Sequence, residues 1–196
     1  MEIIELIIDE NEEYSGIEAI SVVESPAIEE EFIALKNQDQ IRLAEISKEK
    51  RLLIGAALIP DKPIYRKNGE HEFYIFFSKD TVAKASQMFL KAGNQSKATM
   101  EHTDEKLEGM TIVESWLIED EVHDKSRKYG LDMPVGTWMV AMKVDNNDIW
   151  NNYVKEGKVK GFSIEGFFAD KLNRPQDKQQ DKLTEEDKLL NQIIDV

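Results

Sequence analysis

The stretch from Gly157 to Ala169, GKVKGFSIEGFFA, decides how this chain is read. From Val159 onward it predicts a β-strand that carries glycines at 161 and 166. Alternation along a strand puts Ser163 and Glu165 on one face, and Phe162, Ile164 and Phe168 on the other. Glycines beside the serine let another backbone approach closely and free backbone N–H groups. A serine nucleophile needs that access, a base within hydrogen-bond reach and donors for an oxyanion. Taken alone, the same pattern also suits a small residue in a tightly packed strand.

Working backwards, Asp145–Lys155 has the spacing of a short helix, capped by Asp145 or Asn146 and ended by Gly157, with Ile149, Trp150, Tyr153 and Val154 facing inward. GTWMVAMKV at Gly136–Val144, MTIVESWLI at Met110–Ile118, FYIFF at Phe73–Phe77 and RLLIGAALI at Arg51–Ile59 read as strands. Val122–Asp132 between them is polar and turn-rich, and Lys97–Thr103 reads as a short extended piece. Ser78 caps a predicted helix from Lys79 to Ala92, whose inward face is Val82, Ala85, Met88 and Phe89. Near the start, Ile3–Ile8 and Ile17–Val23 are further strands, and Pro26 stops the second. Strands outnumber helices without alternating with them. The expected fold is therefore α+β or mainly β, an antiparallel sheet or barrel flanked by helices.

Residues 1–27 and 51–169 carry the predicted elements of one domain, 1–169. Residues 28–50 between them read as an acidic loop or loose helix. Residues 170–196 change character: the NRPQDKQQDK segment cannot bury a core, and only Leu183–Ile194 offers a short amphipathic helix.

The formal net charge is −14, from 25 basic and 39 acidic residues, which argues against generic binding to nucleic-acid phosphate. Residues 1–50 hold 14 acids and 4 bases, a net of −10, so the excess sits mostly at one end. No apolar run is long enough for a membrane span, and acids stand near the N-terminus where a secretory signal carries bases. A membrane partner is not expected, and a cytosolic location is. The absence of cysteine excludes disulfides, thiol nucleophiles and thiolate metal sites.

Three histidines remain as candidate bases or ligands: His71, His102 and His123. None has metal-ligand spacing, so no metal site is expected, and the lack of phosphate-binding glycine motifs gives no cofactor. His71 reads as a hairpin-tip residue and His123 as part of a polar loop. His102, in TMEHTD at Thr99–Asp104, is a loop histidine or a catalytic base. It stands 61 positions before Ser163 (163 − 102), and only the fold can join the two.

The order of these pieces resembles the phage prohead maturation serine proteases, particularly the XkdF-like branch. The resemblance covers about residues 51–169: LIGAALIPDKPIYR at Leu53–Arg66, FYIFF, the pair Glu101-His102, TIVESWLIED, GTWMVAMKV, the helix with Trp150, and GKVKGFSIEGFF. Relatives carry Gly-Leu-Ser-Ile-Gly in the last strand, whose serine matches Ser163, and a histidine that matches His102. The resemblance implies a serine endopeptidase with that nucleophile and base, and kinship in fold with herpesvirus capsid proteases. It also implies scaffold and capsid proteins as substrates and partners, a homo-oligomer as in the herpesvirus enzymes, and a place in the host bacterial cytoplasm, inside the prohead or virion. The other function class to weigh is a non-enzymatic, capsid-associated structural or scaffolding protein that keeps the protease fold.

Two departures stand out. Relatives have a strand reading Glu-Val-Ser-Leu-Val, ending in Pro-Ala, after the serine strand. Here the similar segment is Ala19–Val23, leading to Pro26-Ala27, near the start of the chain, which suggests a circular permutation. Where that strand carries glutamate in relatives, this chain has Ala19, with Glu18 one residue off. The third catalytic group is therefore open among Glu114, Glu165, Asp104 and Glu18, or the site works as a Ser-His dyad or with a second histidine.

Overall fold

The computed structural model describes residues 2–9, 15–28, 33–35, 50–103 and 106–171. The strands are β1 (Glu2–Ile7), β2 (Gly16–Val23), β3 (Ile33–Leu35), β4 (Leu52–Leu58), β5 (Ile64–Asn68) and β6 (His71–Phe77), then β7 (Ala98–Met100), β8 (Met110–Leu117), β9 (Trp138–Val144), β10 (Gly161–Phe167) and β11 (Ala169–Asp170). Helix α1 (Lys79–Lys91) follows β6, and the short α2 (Asn147–Ile149) continues into a π-helical turn at Trp150–Val154.

They form three sheets, ordered β11-β1-β6-β5, β10-β2-β7 and β3-β4-β9-β8. The third is antiparallel throughout. The other two are mixed, because β1 runs parallel to β6 and β2 runs parallel to β7. The architecture is mainly β with few helices, as the patterning predicts. The barrel alternative is corrected: among the described strands each sheet keeps two free edges, so none closes on itself.

Local chemistry accounts for the elements. The Ser78 hydroxyl accepts from the Thr81 N–H at the start of α1, a cap worth about 1 kcal/mol. Val82, Ala85 and Phe89 are buried on one side of that helix, and the Phe89 ring meets Trp138 of β9 edge-on, centroids 5.4 Å apart. Asn146, not Asp145, caps the second helix, accepting from the Ile149 N–H. Phe162 of β10 is fully buried in the core, on the face that the alternation predicts, with Ile20 and Val22 of β2 beside it. Burying such a side chain stabilises by roughly 1.5–3 kcal/mol.

Three expectations shift. Residues 33–35, inside the segment read as loop or loose helix, pair with β4; the rest of 29–49 lies outside the described residues. The piece read as extended to Thr103 leaves strand geometry after Met100. Asp170, read as the start of the polar tail, pairs with Leu6 as part of β11. The predicted helix at Leu183–Ile194 lies outside the described residues. Among the described residues no helix is long and apolar enough to cross a membrane.

Candidate active site

The sheet β10-β2-β7 has two unlike faces. Ile20, Val22, Phe162 and Ala98 turn into the core and are buried. The opposite face carries a polar row: Ser163 stands directly across from Ser21, and Ser21 directly across from Thr99. Glu165 follows Ser163 on that face, with Ala19 as its cross-strand partner. The ladder then slips, since Gly166 pairs with Ile17, leaving Glu18 as the extra residue of a bulge. Gly166 is required there, because an added Cβ would lie 2.8 Å from Ile17 Cα and closer still to the Gly16 carbonyl oxygen.

His102 reaches the polar row from the turn after β7. Thr103 N–H closes that turn on the Met100 carbonyl at 3.0 Å. Its two central residues, Glu101 and His102, have φ of 50° and 57°, the left-handed region that non-glycine residues rarely adopt. Such conformations cost on the order of 1–3 kcal/mol each and persist where the surroundings hold them. Three contacts do so here. Glu101 N–H donates to the Val22 carbonyl, the Glu101 carboxylate accepts from the Glu24 N–H at 2.6 Å, and His102 N–H donates to Ser21 Oγ at 3.3 Å.

The His102 ring then lies against the row. Its Nδ1 is 3.3 Å from Glu165 Oε1 and 3.5 Å from Ser21 Oγ. The hydroxyls of Ser21 and Thr99 both donate to Glu165 Oε1, and they also contact each other. Among the described residues no hydrogen bond joins His102 to Ser163. Ser163 instead lines a cavity of about 350 Å³ along the free edge of β10.

Of the four acids that the sequence offers as third group, Glu165 alone is seen to meet His102. Glu114 lies in the β3-β4-β9-β8 sheet and ion-pairs with Lys125. Glu18 is exposed at the bulge. Asp104 lies outside the described residues. His71 pairs with Glu2 at 3.1 Å, and His123 with Asp120 at 2.8 Å, both at exposed positions. Among the described residues no group of three or more His, Asp or Glu could hold a metal ion.

Sequence reasoning missed Ser21 and Thr99. Each is a buried hydroxyl between apolar neighbours in a strand, a signal that alternation makes visible only once the pairing partner is known.

This fold and site define a mainly β domain in which a serine and a carboxylate share one strand and a histidine from the adjoining turn meets the carboxylate. Residues 40–172 match the family described as "Putative phage serine protease XkdF", and the chain belongs to that family. The match begins after β2, so the strand that carries Ser21 lies outside it. Curated proteins yield no significant match to the chain, and neither do solved structures.

Proposed function

We propose that the chain is a serine endopeptidase acting by acyl transfer, with Ser163 as nucleophile, His102 as base and Glu165 as the group that holds the imidazole. The observation that carries this reading is the Glu165 carboxylate at His102 Nδ1. A carboxylate on Nδ1 keeps the proton on that nitrogen and leaves Nε2 as the base. His102 then takes the Ser163 proton as Oγ attacks the peptide carbonyl, and returns it to the leaving amine. Water hydrolyses the acyl-enzyme by the same relay. The side chain of His102 is 46% exposed, and in this reading it turns toward Ser163 as substrate binds. Catalytic hydrogen bonds often tighten only in that complex.

The β10–β2 register supports Glu165 by a second route. The resemblance implies a glutamate where this chain has Ala19, and a glycine where it has Glu165. Those two positions are cross-strand partners here. Moving the carboxylate from one to the other keeps it on the same face, within about 5 Å of its old place. Ser21 and Thr99, whose hydroxyls bind the carboxylate, are positioning residues. Ser21 is nearer to His102 Nδ1, but it is 0% exposed, whereas Ser163 borders the cavity. A nucleophile must be reached by a carbonyl carbon, which favours Ser163.

Family membership supports prohead maturation as the setting, with scaffold and capsid proteins as substrates inside the particle. The pairing of β2 with β10 suits a circular permutation. The test is co-expression of wild type and Ser163→Ala with the matching capsid and scaffold proteins, followed by intact-mass analysis. New termini from wild type that Ser163→Ala lacks are the expected result. Uncut masses from both, in well-formed particles, would replace this reading with a structural role.

A further inference from the structure

The cavity beside Ser163 is lined mostly by apolar residues, with Leu58, Ile64, Phe77 and Phe168 among its walls. Phe167, 61% exposed, borders it toward solvent. One wall residue is a cation. Arg66 follows Ile64 by two positions on β5, so both belong to the strand face that turns toward the cavity. Its direct partner on β6 is Phe73, which packs against the core.

A guanidinium carries five N–H donors. Among the described residues Arg66 meets one acceptor, the Tyr65 carbonyl at 2.9 Å from Nη1, and no carboxylate pairs with it. Burial lowers its pKa, so this cation is held partly out of water without a counter-charge to offset that cost. A half-buried charge left without a counter-charge is a receptor for the opposite charge, and an arginine fork binds a carboxylate through two parallel bonds.

We propose that this cavity is a substrate subsite for an acidic side chain, its methylenes against Leu58, Ile64 and Phe77 and its carboxylate on Arg66. The inference deepens the endopeptidase reading and rests on it, because Ser163 borders the same cavity. It sets a local preference against the long-range field. With a net charge of −14 the protein as a whole repels acidic peptides, so the preference should survive added salt, which screens the repulsion and leaves a desolvated pair nearly intact.

The test uses a mixture of randomised decapeptides in two experiments on the full chain. In the first, wild type, Arg66→Ala and Arg66→Glu digest the mixture, Ser163→Ala serves as the blank, and cut sites are read by mass spectrometry. Glu or Asp should be enriched about tenfold at one fixed position relative to the cut by wild type, lose that enrichment in Arg66→Ala, and give way to Lys or Arg in Arg66→Glu. In the second, the mixture is passed over immobilised Ser163→Ala and immobilised Ser163→Ala/Arg66→Ala, and the retained peptides are sequenced. Acid-bearing peptides should be retained by the first and not the second.

Cleavage without acid preference, or a preference indifferent to Arg66, overturns the subsite. Absence of cleavage with Arg66-dependent retention overturns the protease reading and keeps the subsite; absence of both overturns both. Ile28, a cavity residue, is followed in sequence by Glu29-Glu30-Glu31. If Arg66 answers those acids instead, Arg66→Glu lowers the melting temperature and wild type shows no preference, which also overturns the proposal.

Discussion

Two histidine–carboxylate pairs in this molecule look alike on paper and differ in what surrounds them. His123 and Asp120 are the closer pair at 2.8 Å, three residues apart in one loop, with side chains 81% and 55% exposed. His102 and Glu165 are 3.3 Å apart, come from the two edge strands of one sheet (His102 from the turn after β7, Glu165 from β10), and are 46% and 28% exposed. The loop pair is complete in itself. Asp120 is held to about 2 by the His123 side chain first, and then by the N–H groups of Val122 and His123. The sheet pair is open-ended. Its carboxylate also holds Ser21 and Thr99, and the strand that carries it carries Ser163 two residues earlier. A short contact between neighbours in sequence shapes a turn, while convergence of several strands on one carboxylate assembles a site.

Substitution separates the two. The largest effect expected is on catalysis from Glu165→Gln. The amide still accepts from both hydroxyls but removes the charge that holds His102, so kcat/KM for a cleaved peptide should fall about a hundredfold or more with the fold intact by circular dichroism. Unchanged kcat/KM would leave Ser163 and His102 as a dyad. Gly166→Ala comes next. Its Cβ meets backbone, which cannot swing aside, and denaturant unfolding should show a loss of about 1–3 kcal/mol. A neutral result would mean that the bulge beside Glu165 yields easily.

Smaller losses should follow Ser21→Ala and Thr99→Val, about tenfold each in kcat/KM. The double variant should lose less than the product of the two, because both hydroxyls serve one oxygen. Thr99→Ser should restore most of the loss, which a packing role for the methyl group would not allow. Strict additivity would separate the two residues from a common network.

The smallest effect is expected at the loop pair, where Asp120→Asn should leave cleavage unchanged. The folded pKa of Asp120 lies below its ordinary 3.8, so whatever the carboxylate contributes to stability is full above that value and is lost as pH falls through about 2. The amide signals of Val122 and His123, both donors to Asp120, should titrate in NMR with a midpoint of about 2. A midpoint near 3.8 would show that the loop does not hold the charge.

The parts of the molecule that were legible in advance are those set by short-range rules. Ser78 as a cap, the buried face of α1, the strands β4, β6, β8, β9 and β10, and Gly157 as the end of the second helix all follow from side-chain period and backbone sterics within a few residues. The unlike faces of β10 were legible too, since alternation needs no partner. The acid that meets His102 was not. Glu18, Glu114 and Glu165 are equivalent as letters, and what separates them is the sheet that holds Glu114, the register of β10 on β2, the bulge at Glu18 and the left-handed turn at Glu101-His102. Ser21 and Thr99 stayed hidden for the same reason, because each is an ordinary strand hydroxyl until the strands on either side are known. Arg66 read as part of a family motif, and only the fold placed it in the wall of the cavity that Ser163 also lines. Period, caps and composition are local energies and belong to the sequence by itself. Register, cross-strand pairing and the desolvation of a charge depend on which distant segments meet, and only the tertiary structure decides them.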